Sequence, residues 1–290
     1  MRTRSISSVG VVVVGLLPMM VGGTAFAVLM TVLCLLGYRE YQGLIARLPA
    51  GSQLLAIGYP VVIGAAIAGL VDPAGGTLVP IILFALLAPL VAGLFQPNGV
   101  PFADWPPVVA GSLYLALPVF AAVALRGAPG TVESRWFTDL ASFAAFWGDP
   151  TPRGLAWTLL VVVGTWIGDS AAFLVGRRWG RTPLLPRISP KKTVEGAMAA
   201  VVATSLVAIT ATTVFEMGLP LAASMLIGIF VSLAAQTGDL AESLLKRQVG
   251  VKDSGALIPG HGGMLDRMDA LIVALPIGWL LARIADRFWP

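Results

Sequence analysis

Apolar stretches alternate with short polar connections along the whole 290-residue chain. They lie at about 9–17, 24–36, 53–71, 77–95, 107–125, 155–175, 197–217, 220–238 and 269–285. Most approach the ~20 residues that a helix needs to cross ~30 Å of hydrocarbon. A helix also closes its backbone hydrogen bonds within itself, which lipid cannot do for it. The pattern predicts an all-α, polytopic transmembrane bundle of about nine membrane segments. Pro18, Gly22 and Gly23 separate the first two stretches, so the first is expected to be short or partly re-entrant. Arg2, Arg4 and Ala25-Phe26-Ala27 imitate a cleaved secretory signal. The apolar run continues from Val28 to Leu36, however, and retention of this segment is the expectation.

Composition agrees with the periodicity. Charged residues make up 12% of the chain and hydrophobic ones 57%, against roughly 25% charged in a soluble domain. Mean hydropathy is +0.87. A water-soluble fold and a disordered chain are both excluded. The single cysteine, Cys34, rules out an intrachain disulfide or cysteine cluster, and the single histidine, His261, rules out a multi-histidine centre. Any metal would be held mainly by oxygen, which favours Mg²⁺-like ions.

Charge placement orients the bundle. Loop 177–196 carries Arg177, Arg178, Arg181, Arg187, Lys191 and Lys192 against Glu195, and loop 240–268 carries Lys246, Arg247, Lys252 and Arg267. Cytoplasmic loops collect Lys and Arg. These loops are two spans apart, so they share a side, and counting back gives an N-terminus inside and a C-terminus outside. Loop 126–154 then faces out despite Arg126, Arg135 and Arg153. Its Trp136, Phe137, Leu140, Phe143 and Trp147 follow a helical stripe suited to the membrane interface. Residues 1–154 read as an N-terminal transmembrane region. Residues 155–290 hold nearly every acid within or beside a span and read as the catalytic region.

Acids at such positions are costly and mark function. In Gln236-Thr237-Gly238-Asp239-Leu240-Ala241-Glu242-Ser243-Leu244-Leu245-Lys246-Arg247, Asp239 and Ser243 share a helical face and could offer oxygen to one cation. Glu242 and Lys246 share another face, where a plain surface ion pair is the competing reading. In Ile258-Pro259-Gly260-His261-Gly262-Gly263-Met264-Leu265-Asp266-Arg267-Met268-Asp269, the glycines allow successive N–H groups to converge on an anion. Asp266 and Asp269 begin the last apolar helix, where capping alone would favour one carboxylate; one of the two is expected to be a metal ligand. Asp169 lies near the end of its span. Ser189-Pro190 reads as a helix start, with Ser189 as N-cap and Lys191 and Lys192 beside it as a phosphate site. No G-x-x-x-x-G-K-[ST] loop is present, so a P-loop enzyme is excluded. Oxygen-ligated metal, phosphate-binding cations and an apolar surround suit phosphoryl or nucleotidyl transfer to a lipid.

The stretch Ser243-x-Leu245-Lys246-Arg247-x4-Lys252-Asp253-x-Gly255-x2-Ile258-Pro259-x-His261-Gly262-Gly263-Met264-x-Asp266-Arg267-Met268-Asp269 resembles the signature of the phosphatidate cytidylyltransferase (CDP-diacylglycerol synthase) family. Asp169-Ser170-x2-Phe173-x2-Gly176-Arg177 and Ser189-Pro190-Lys191-Lys192-Thr193-x-Glu195-Gly196 resemble its other cytoplasmic motifs, with Phe173 where family members often have Tyr. The likeness covers residues 155–285 well, and the first half only as a multi-span region. It implies synthesis of CDP-diacylglycerol and pyrophosphate from CTP and phosphatidic acid. It also implies required Mg²⁺ with K⁺ as a second cation, a nine-span homodimer in the cell (inner or plasma) membrane, and a site facing the cytoplasm. No nucleic-acid partner is implied. By motif match the metal ligands would be Asp239, Ser243 and Asp266. Lys246, Arg247, Lys252 and Arg267 would bind the anionic substrates, with Ser189, Lys191 and Lys192 from the neighbouring loop. His261, Gly262 and Gly263 would approach phosphate, Asp169 would join the substrate-binding residues, and Asp253 and Asp269 would orient basic groups or serve the second cation. Two other readings stay open: a CTP-dependent polyprenol kinase and, in a different class, a cation-coupled transporter using Asp169, Asp239 and Asp266.

Overall fold

A computed structural model describes residues 16–48, 53–96, 101–145, 150–257 and 262–289. After a helical turn at 16–21, the chain forms α1 (Gly23–Ile45), a short 3₁₀ turn (Gln53–Ile57), α2 (Gly58–Val71), α3 (Leu78–Gly93), α4 (Pro101–Arg126) and α5 (Arg135–Ala144). It continues as α6 (Pro152–Trp179), β1 (Pro183–Leu185), β2 (Ser189–Thr193), α7 (Val194–Val214), α8 (Leu221–Gln248) and α9 (Leu265–Phe288). Among the described residues 7 helices are long and apolar enough to cross a membrane. The expected all-α membrane bundle is borne out, with about nine segments an approximate count beside these seven. Helix α3 has 16 residues and spans about 24 Å at 1.5 Å per residue, short of a full crossing. Most of the first apolar stretch, 9–17, lies outside the described residues.

Helix α4 is the hub: it packs on α1, α2 and α3 from the first half and on α6 and α9 from the second. Its Ala116, Ala121, Ala122 and Ala124 are fully buried, and such small residues let backbones approach where lipid gives no hydrophobic drive to associate. Helices α6, α7, α8 and α9 pack as successive neighbours. Hydroxyl bonds reinforce them: Thr204 Oγ1 donates to Gly164 O at 3.1 Å, and Thr212 Oγ1 donates to Ser224 Oγ at 2.7 Å. At Gly228 the α8 backbone comes so close to α7 that an added Cβ would lie 2.3 Å from Ser205 Cα. Large apolar side chains such as Val28, Leu87, Leu206 and Phe230 point outward, the inversion expected of a lipid-facing surface.

Two local expectations change. The Ser189-Pro190 helix start is displaced: residues 189–193 form β2, paired antiparallel with β1. Thr193 is the N-cap instead, its side chain accepting from Gly196 N at 3.2 Å. An extended Pro190-Lys191-Lys192 gains a strand partner and leaves Thr193 three residues before the amide it caps. The interfacial stripe of loop 126–154 divides. Helix α5 forms there, but Phe137 turns inward onto Phe215 while Trp136, Leu140 and Phe143 stay exposed; Trp147 lies outside the described residues. Two of that loop's arginines are consumed internally. Arg126 is buried against Met19 O, Met20 O and Thr151, and Arg153 pairs with Asp286 at 2.8 Å.

Gly228→Val is expected to lower the thermal unfolding midpoint in detergent, because overpacking a close crossing costs about 1–3 kcal/mol. Gly43→Ala, on α1 with open space around its Cα, is expected to hold or raise it by a Gly-to-Ala gain of about 0.5–1 kcal/mol. Equal midpoints for the two variants would remove the close crossing from this account.

Candidate functional site

Acids and lysines from the second half of the chain gather at one end of the bundle. There the C-terminal ends of α1, α6 and α8, the β1–β2 hairpin, residues 249–257 and the start of α9 converge. Helices α8 and α9 touch at Gly238, where a Cβ would lie 2.3 Å from Asp269 O. That contact sets Asp239, the next residue, beside the start of α9. Asp239 and Ser243 are one turn apart, and Ser243 Oγ donates to Asp239 Oδ1 at 3.4 Å. The other Asp239 oxygen forms a close ion pair with Lys192 from β2. Asp169, in the C-terminal half of α6, lies in the electrostatic field of Asp239 and Lys192, and Asp269 in that of Asp239, Asp169 and Lys246.

Lys246 joins α8 to α9. Its ammonium lies 2.8 Å from Glu242 Oε2 and 2.6 Å from Asp266 Oδ1. The Glu242–Lys246 pair therefore exists, but it is not a surface pair: Glu242 is 0% exposed. Asp266 Oδ2 accepts from Ser254 N at 2.8 Å, Ser254 Oγ at 2.9 Å and Gly263 N at 2.8 Å. The glycine loop does gather amides around an anion, as its spacing suggests, with Gly262 at φ 82°. The anions it gathers around are the protein's own: Asp266, and Glu40 from α1, which accepts from Met264 N and Leu265 N at 2.9 Å.

The remaining cations stand differently. Arg247 is exposed and donates to Ile188 O at 3.4 Å and Val251 O at 3.2 Å, linking the two basic loops. Lys191, Lys252 and Arg267 are exposed, as is Asp253, and among the described residues none of the four is seen in a side-chain hydrogen bond or ion pair. Ser189 opens β2, opposite Leu185. His261, with Pro259 and Gly260, lies outside the described residues.

Two residues were not singled out by sequence reasoning. Glu40 had a signal, since it is an acid near the end of an apolar run, but Arg39 beside it reads as an ordinary loop charge. Tyr114 had none, because a tyrosine in an apolar helix is unremarkable. Its Oη and the second oxygen of Glu242 are buried without a hydrogen-bond partner among the described residues.

Asp239 and Asp266 offer carboxylate oxygens and Ser243 a hydroxyl, the donor chemistry of a Mg²⁺-type ion; Lys192 faces Asp239, and Lys246 is shared between Asp266 and Glu242. Among the described residues no group of three or more Asp, Glu, His or Cys side chains is gathered that could hold a metal alone.

Fold and site together define a polytopic membrane protein with an oxygen-rich, cation-rich centre at one end of its bundle. The chain belongs to the cytidylyltransferase family, whose model matches residues 2–285. It is 31% identical over 283 residues to a phosphatidate cytidylyltransferase of Synechocystis sp., covering 94% of both chains. It is 41% identical over 128 residues to that of Bacillus subtilis, covering 44% of this chain and 48% of the relative. A Thermotoga maritima phosphatidate cytidylyltransferase is 39% identical over 145 residues, covering 46% of this chain and 51% of the relative.

Lys246→Met is expected to destabilise the detergent-solubilised protein by about 3–5 kcal/mol, because it strands buried carboxylates without their counter-charge. Adding Glu242→Gln should restore part of the lost thermal stability. A single variant as stable as the parent would show that the bridge between α8 and α9 is not needed.

Proposed function

We propose that this chain transfers the cytidylyl group of CTP to phosphatidic acid, giving CDP-diacylglycerol and pyrophosphate for phospholipid synthesis. The observation that carries the reading is the pair of lysine-neutralised acids, Lys192–Asp239 and Lys246–Asp266, at the end of a bundle otherwise apolar to its surface. Its support from outside the structure is membership of a family whose curated relatives bear that enzyme's name. A phosphatidate oxygen would attack the α-phosphorus of CTP, forming one P–O bond as the bond to the departing pyrophosphate breaks. A phosphate is already a nucleophile, so no strong general base is required.

Asp239, Ser243 and Asp266 would hold Mg²⁺, and K⁺ would be a second cation near Asp269. When bound, Mg²⁺ supplies charge neutralisation on the substrate phosphates and the leaving group. The chain's own residues do the rest. Lys191, Lys252 and Arg267 present exposed charge to two polyanions, and Arg247 holds the two basic loops together. His261 is assigned to the same phosphates. Lys192 and Lys246 keep the two acids in place, each as a counter-charge. Lipid reaches the site along the bundle's apolar flank. We place the protein in the cell membrane with this end toward the cytoplasm, where CTP is supplied, and as a homodimer.

Purified protein with CTP, phosphatidic acid and Mg²⁺ is expected to release pyrophosphate in step with CDP-lipid. Asp239→Ala and Asp266→Ala should each cut turnover by at least about a hundredfold while leaving membrane insertion intact. Phosphorylation of a polyprenol with release of CDP, and no CDP-lipid, would replace this reading by a lipid kinase. Cation flux without turnover would replace it by a transporter.

A further inference from the structure

The start of α9 has no cap of its own. Met264 occupies the N-cap position and makes no side-chain capping bond, although the first amides of a helix need acceptors. The acceptor comes from 224 residues away in sequence. Glu40, in the last turns of α1, takes Met264 N on one carboxylate oxygen and Leu265 N on the other, both at 2.9 Å. The second oxygen also lies 2.9 Å from Ser254 Oγ. That hydroxyl is equally 2.9 Å from Asp266 Oδ2, so Ser254 bridges Glu40 and Asp266.

The loop is shaped around this carboxylate. A Cβ on Gly263 would lie 2.3 Å from a Glu40 oxygen, and one on Gly255 would lie 2.6 Å from the other. Either glycine replaced by a larger residue would push the loop off the carboxylate. Among the described residues no Lys or Arg pairs with Glu40; its charge is met by two amides, one hydroxyl and the dipole at the start of α9. A surface acid held only for solubility would not be enclosed by two glycines and a helix start.

We propose that Glu40 is a positioning residue for the metal-binding acid. It fixes Ser254, Gly263 and the start of α9 so that Asp266 presents its carboxylate to the ion, which rests on the reading of Asp266 under Proposed function. The N-terminal half thereby takes part in the chemistry through one side chain. Glu40 touches neither substrate nor metal. Removing its charge frees the Met264 and Leu265 amides and loosens Ser254 from Asp266.

The test is Glu40→Gln, which keeps the side chain's size but turns one acceptor into a donor facing an N–H. Hydrogen exchange of the purified full-length protein in detergent reads the loop directly. Exchange at Met264 and Leu265 is expected to rise about tenfold or more, with little change in α6 and α7. Mn²⁺ titration followed by electron paramagnetic resonance is expected to show affinity weakened by about tenfold. The Mg²⁺ concentration for half-maximal turnover should rise by a similar factor. Ser254→Ala should give the same direction with a smaller effect. Unchanged exchange at Met264 and Leu265 would overturn the proposal, as would faster exchange with Mn²⁺ affinity equal to the parent's, which would leave Glu40 a structural cap only. If the parent protein makes no CDP-lipid, the functional reading fails by that assay, and the exchange and Mn²⁺ measurements still decide the role of Glu40.

Discussion

One ammonium group ties together the two helices that carry the site. Lys246 sits between Glu242 on its own helix and Asp266 on the next, at 2.8 and 2.6 Å. Glu242 is fully enclosed, and a carboxylate so placed is tolerated only with its counter-charge present. The rest follows from this constraint. The α8–α9 contact at Gly238 must be close for the lysine to reach across, and that closeness puts Asp239 beside the acids of α9. Lys192 repeats the device from the hairpin, so two acids at the membrane boundary each hold a positive charge.

The same economy governs the other end of the bundle. Among the described residues Arg126 pairs with no acid; backbone carbonyls at Met19 and Met20 and the Thr151 side chain satisfy it. Arg153 is matched by Asp286. These arginines act in packing, which explains how a loop assigned to the outer face can carry them. Both are held inside the protein, 1% and 9% exposed.

Much of this was legible from the chain. Apolar runs near bilayer length predict the helices, and the acids bordering them predict which end is polar, because both signals are local. The Asp239–Ser243 pairing follows from helical spacing alone. What could not be read depends on residues far apart in sequence. Glu40 looks like any charge after a span until α9 is placed against it. The burial of Glu242 depends on what packs around α8. The Ser189-Pro190 helix start failed because a strand partner ten and four residues upstream, Pro183 against Thr193 and Leu185 against Ser189, outweighed a good local cap. Glycines 262 and 263 were read correctly as permitting an anion nest, but local sequence does not say whose anion fills it.

The central claim is that this charge-balanced end of the bundle transfers a nucleotidyl group to a phospholipid. Following CTP labelled on its α-phosphorus, and separately on its γ-phosphorus, tests it most directly. With phosphatidic acid and Mg²⁺, the account expects the α-label to enter the lipid fraction and the γ-label to leave as pyrophosphate. Transfer of the γ-label to lipid, or neither label reaching it, would contradict the account.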